Sequence, residues 1–299
     1  SIRATVTAAF LGVASQVSAT PVNITIDYAT PVNAEIESAM DTAVAIWEYL
    51  LPSYRSAPSD LSVFSIPAPL VVETIFENID GPGRILGSAG PRFIASSQDN
   101  REIYSHTAQM RFDTSDLPGG TFVQGVTLFM HELSHTLGYG TLWDASLNNG
   151  VNYDLTDGDG TPATTPTRYT GANALAAYRA EVDPTATFIP LEDGGGTGTA
   201  GGHWDEGAIG ASFVPGDFFG PELMSGIFFS GPSAFVSETT LASFEDIGFN
   251  TREGYSAMTI DELIAAVSVP AVPLPAGGWL LLAGIGGLVV MRRKSQKPD

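Results

Sequence analysis

Polar and apolar residues alternate over residues 22–28, the period of a strand with one buried face. From residue 33 to 51 the spacing turns helical. Ile36, Met40, Val44 and Trp47 fall on one stripe, and Asn33 stands where an N-cap belongs. Short β-rich stretches follow at 61–66, 71–79 and 104–112. Pro118-Gly119-Gly120 then breaks the chain. Residues 121–137 read as a helix that is apolar almost all round, which predicts burial. After Gly138 the composition shifts to Gly, Asp, Thr and Pro, giving loops at 148–167 and 194–202 and short helices at 173–181, 237–247 and 259–267. No internal repeat is visible. A strand-and-helix half followed by a loop-rich half predicts an α+β protein with a cleft between an N-terminal sheet-plus-helix subdomain and a loop-rich C-terminal subdomain.

The buried helix carries His131-Glu132-Leu133-Ser134-His135. Histidines four apart lie one turn apart on one face, so their imidazoles can converge on a single ion, and Glu132 beside them can reach a water on it. Three titratable groups on an otherwise apolar helix are costly unless something satisfies them, and a metal does so. Two ligands do not complete a catalytic zinc site. Of the four histidines in the chain, His106 lies in an expected strand and reads as a sheet residue. His203, in Gly201-Gly202-His203-Trp204 after a flexible loop, is the candidate third ligand. Asp144, Asp205 and Glu206 are the carboxylate alternatives. Asp154, Asp157 and Asp159 in the acidic, Gly-bearing stretch DLTDGDG can wrap calcium, although no Glu closes an EF-hand loop and a solvated acidic loop competes with that reading.

Composition narrows the classes. With 43% hydrophobic and 15% charged residues the 299-residue chain should bury a core. A net charge of -20, with eight arginines and no lysine between Thr20 and Pro270, repels nucleic acid. The absence of cysteine excludes disulfides, thiolate metal sites and a Cys nucleophile.

The two ends carry targeting patterns. Arg3, an apolar run over residues 4–17 and small residues at Val17-Ser18-Ala19 read as a signal peptide over residues 1–19. At the other end, residues 269–299 hold Pro-rich sequence, an apolar Gly-rich stretch and Arg292-Arg293-Lys294, a short membrane helix with a basic cytoplasmic end. Val272-Pro273-Leu274-Pro275-Ala276 matches, and the whole tail resembles, the VPLPA variant of the PEP-CTERM sorting signal. That resemblance implies a Gram-negative host, transient anchoring in the inner membrane, processing by an exosortase-type enzyme and delivery to the cell surface or beyond. The catalytic domain is then residues 20–268.

The run HELSHTLGYGTLW from His131 to Trp143, GGHW at 201–204, PELMSG at 221–226 and LASFEDIG at 241–248 resemble the leishmanolysin family of metzincins. Metzincins with short spacing place a third His where this chain has Thr141; leishmanolysins reach it after a long insertion, here from His135 to His203. The resemblance implies a metzincin-like fold and a Met-turn at Met224. It also implies zinc held by His131, His135 and His203, with Glu132 as the base that moves a proton from water to the leaving amine. Substrates are then proteins or peptides. The chain departs from eukaryotic members in lacking their disulfides and any cysteine-based latency switch. The first strand follows the signal peptide too closely for a long propeptide between them. Two other functions fit parts of the sequence: a non-catalytic zinc-binding surface or matrix protein on the same fold, and a zinc hydrolase of non-peptide amides or esters.

Overall fold

The computed structural model describes residues 19–58, 70–83, 85–117, 120–157, 167–196, 198–209, 221–226 and 233–268. The signal-peptide reading of residues 1–18, the strand expected at 61–66 and the sorting tail from 269 onward lie outside them. Among the described residues no helix is long and apolar enough to cross a membrane.

The fold is mixed α and β. β1 (Ile24–Tyr28) leads into α1 (Ala34–Leu50), and the chain returns as β3 (Leu70–Glu77) after the short β2 (Ser53–Tyr54). β4 (Gly87–Ser96) and β5 (Ile103–Asp113) complete a four-stranded sheet in the order β1-β3-β5-β4. β1, β3 and β5 run parallel, whereas β4 pairs antiparallel with β5 and forms one edge. A register shift at Pro91–Ile94 bends that edge.

α1 begins where its sequence says it should: Asn33 is the N-cap and accepts from Ile36 N at 2.9 Å. Its buried face is Ala39, Met40, Ala43, Ile46, Trp47 and Leu50. Ile36 and Val44 lie at the margin of that face. Small alanines let α1 approach α2 (Phe122–Leu137) closely, and Trp47 Nε1 donates to Met130 O at 2.9 Å across the contact. α2 in turn lies under the sheet, where Phe129 meets Phe112 edge-on at 4.9 Å.

The remaining elements are short: β6 (Arg168–Tyr169), α3 (Ala172–Glu181), β7 (Ile189–Pro190), β8 (Phe235–Val236), α4 (Glu238–Asp246), β9 (Phe249–Asn250), β10 (Met258–Thr259) and α5 (Ile260–Ser268). β6 pairs with β7, β8 with β10, and β9 with β2. α3 and α4 cap each other. Asp246 at the end of α4 accepts from the backbone of Asn173 and Ala174, and Glu181 at the end of α3 accepts from that of Glu238 and Thr239. Each carboxylate meets the positive end of the other helix. A cluster of Tyr139, Trp143, Tyr169 and Trp204, with ring centroids 4.7–5.6 Å apart, fills the space between α2 and this second half.

Candidate active site

α2 owes its start to Thr121, whose hydroxyl accepts from Gln124 N while the Gln124 side chain accepts from Thr121 N, a reciprocal capping box. It ends at Gly138, which takes the left-handed conformation expected of a sharp exit. Between these ends His131 and His135 stand one turn apart, with their Nε2 atoms separated by 3.3 Å.

His203 comes from a distant stretch and completes the group. Its Nε2 lies 3.0 Å from that of His131 and 3.1 Å from that of His135. Three features bring it there. Trp204, fully buried, stacks on Trp143 at 5.4 Å and donates from Nε1 to Thr240 Oγ1 at 2.8 Å. Burying an indole of this size contributes about 4–6 kcal/mol, so the neighbour of the ring is an anchor. His203 O accepts from Glu192 N at 3.0 Å, which pairs the two stretches of backbone. Gly140, at φ +68, has no side chain to keep Gly202 away; a Cβ there would stand 2.5 Å from Gly202 O.

The protons of the three rings follow from their other nitrogens. His131 Nδ1 donates to Leu223 O at 2.7 Å, His135 Nδ1 to Tyr139 O at 3.0 Å, and His203 Nδ1 to Thr199 O at 2.9 Å. A carbonyl only accepts, so each Nδ1 carries its ring's proton. In the neutral rings all three Nε2 atoms then point lone pairs at one another. Such a triangle repels itself unless a cation sits among the nitrogens. Added protons do not supply it. Burial and the neighbouring rings hold His131 down to about 3 and His135 well below its ordinary value, and burial lowers His203. His131, His135 and His203 would hold such an ion through their Nε2 atoms, and three protein nitrogens are the ligand number of a catalytic zinc site. The donor set therefore fits zinc.

Glu132 is buried, and burial pushes its carboxyl up to about 8. It faces β4: a Cβ on Gly87 would stand 2.7 Å from Glu132 Oε1. A cavity of about 1260 Å³ opens on these groups and is lined by His131, Glu132, His135, His203, Gly87 and Ser88, among others.

Met224 is fully buried against Ser134 of α2. Ser134 Oγ donates to His131 O at 2.6 Å and touches Met224 Sδ at 3.0 Å. The turn is held by Glu222, which sequence reasoning passed over. This carboxylate accepts from Met224 N, from Ser237 N and Oγ, and from Thr240 Oγ1. Burial pushes it up to about 7 against the pull of those donors. Glu222 thus ties the carbonyl that orients His131 to the hydroxyl that holds Trp204. Its one signal in the sequence is a carboxylate enclosed by Pro221, Leu223 and Met224.

The other candidates are placed elsewhere. His106 is buried on β5 with its ring edge-on to Phe93. Asp144 accepts from Thr156 N and Thr156 Oγ1, and is not at the triangle. Asp205 and Glu206 gather with Glu192 in a separate group. Asp154 is exposed, Asp157 accepts from Thr167 N, and Asp159 lies outside the described residues.

Residues 97–260, just over half of the chain, match the Leishmanolysin family of peptidases. A 130-residue stretch, 44% of the chain, is 32% identical to a Leishmanolysin homolog of Crithidia fasciculata and spans 18% of that protein's length.

Proposed function

Because the chain belongs to the Leishmanolysin family of metallopeptidases, we propose that it is an exported zinc endopeptidase with His131, His135 and His203 as metal ligands and Glu132 as general base. The observation that carries this reading is the convergence of three Nε2 lone pairs within 3.0–3.3 Å, each fixed by a carbonyl on the far side of its ring.

Zinc held there supplies Lewis acidity to a scissile carbonyl and lowers the pKa of water. Glu132 does the proton work. Its carboxylate lines the cavity one residue from His131, takes a proton from the attacking water and delivers it to the leaving amine. Burial raises its proton affinity and so makes it a stronger base once ionised. Met224 supports the site from below and takes no part in the chemistry.

Peptides are the favoured substrates because β4 is a sheet edge whose residues Gly87, Ser88 and Ala89 line the same cavity. An edge strand offers unpaired backbone groups to an extended chain. In this reading the sheet-plus-helix subdomain and the loop-rich subdomain form the two walls of the substrate cleft. The sequence patterns at residues 1–19 and 269–299 support export, transient inner-membrane anchoring, exosortase-type processing and a cell-surface or extracellular location.

Glu132→Gln tests the assignment. The variant should keep one zinc per chain by atomic absorption and lose casein cleavage by about 10²–10⁴-fold. Unchanged cleavage with zinc retained rules out this base.

A further inference from the structure

Three carboxylates crowd the segment that delivers His203. Glu192, Asp205 and Glu206 each offer an oxygen, and the three oxygens lie within 4.8 Å of one another. Glu192 is only 8% exposed. Its Oε1 accepts from Gly194 N at 2.6 Å, but its Oε2 is buried with no hydrogen-bond partner among the described residues. None of the ion pairs among the described residues involves any of the three. A buried carboxylate with one oxygen lacking a donor, grouped with two more acids, is costly unless it shares a proton or binds a cation.

We propose that Glu192, Asp205 and Glu206 form a binding site for a calcium-class cation, separate from the imidazole triangle. The donor chemistry selects the ion. All three ligands are hard oxygens, whereas the triangle is all nitrogen, so each group suits a different metal. Coordination habit selects it again: calcium accepts carboxylates in irregular geometry, whereas magnesium demands a near-ideal octahedron and gives up its waters reluctantly.

The position gives the ion its role. Glu192 N donates to His203 O, and Asp205 N donates to Pro190 O at 3.2 Å. The two paired stretches are therefore 190–192 and 203–205; Glu192 lies on the first, Asp205 on the second, and Glu206 directly follows it. A bound cation clamps this pairing just beyond the third ring. The site is distinct from the candidate calcium site in the DLTDGDG stretch, where Asp154 is exposed and Asp157 accepts from Thr167 N. The competing solution is a proton shared between Glu192 and Glu206, whose carboxyl is raised by burial and by the facing Glu192. A shared proton predicts no calcium binding.

The test is calorimetric titration of calcium chloride into the full zinc-loaded chain after removal of calcium with EGTA, with thermal melts in parallel. The wild type should bind one calcium per chain and melt higher with it. Asp205→Asn should weaken binding about tenfold or more, as expected when ligand charge falls, and the pair Asp154→Asn with Asp157→Asn should bind as the wild type does. No heat and no change in Tm for the wild type up to about 10 mM calcium, beyond the weakest functional range, overturns the proposal. So does binding that Asp205→Asn and Glu206→Gln leave unchanged. The wild-type arm needs no variant to fold, and zinc content measured in each arm keeps this outcome distinct from that of the imidazole site.

Discussion

Gly140 is the position where one methyl group should separate the third imidazole from the other two. It sits at φ +68, and a Cβ there would meet Gly202 O at 2.5 Å, Gly202 Cα at 3.0 Å and Gly202 C at 3.1 Å. All three are backbone atoms, so no side chain can swing aside. Restoring an ordinary 3.4 Å contact requires about 0.9 Å of retreat. Gly202 directly precedes His203, and metal–ligand distances tolerate only about 0.2 Å. The Gly140→Ala chain should therefore bind zinc about 10–100-fold more weakly, the range for disturbing a ligand's support. Gly254→Ala is the control, because Gly254 has φ +67 and nothing within 4 Å of its would-be Cβ. Both variants bear the left-handed strain of about 1–2 kcal/mol, but only Gly140→Ala moves a ring. Zinc affinity is read by competition against a chromophoric chelator, and stability by melting the zinc-free forms. Equal zinc affinity in the two variants would show that the Gly140–Gly202 approach does not position His203.

Other expectations follow from single contacts. His203→Ala should leave two nitrogens and lose stoichiometric zinc; full occupancy by atomic absorption moves the third ligand elsewhere. Glu222 is raised from 4.5 to about 7, so it favours the folded state fully below about 4.5 and loses that contribution as pH rises through 7. The wild type should accordingly lose on the order of 3 kcal/mol relative to Glu222→Gln between those limits in urea melts; parallel pH profiles refute the assignment. Thr121→Ala removes the cap of α2 and should cost about 1 kcal/mol in the same melts, and no loss there means that the capping box is idle.

Much of this arrangement was legible in the sequence because it rests on side chains with local signals. Asn33 and the 16-residue run ending at Leu137 announce two helices by cap and periodicity. The stripe on α1 was read from its large residues, whereas the buried Ala39 and Ala43 turn the buried face away from Ile36 and Val44. β4 escaped because an edge strand with Gly87, Gly90 and Pro91, paired on one side only, has no period-two alternation to detect. Glu192 carries no signal of its own in the sequence; it is buried where the chain returns beside His203, a contact no local pattern encodes. The acceptors at Leu223, Tyr139 and Thr199 are backbone atoms and leave no trace in residue identity.

That last feature constrains how the site can be tuned. Where imidazoles lean on carboxylates, replacing an acid changes ring basicity and aim at one stroke. Here, among the described residues, each ring's Nδ1 is steered by main chain instead. Fine adjustment must come from altering the path of the polypeptide, through glycines, turns and anchors such as Trp204. The same dependence makes sequence length between the second and third rings nearly free to vary: any excursion will serve, provided that it returns with one carbonyl correctly oriented.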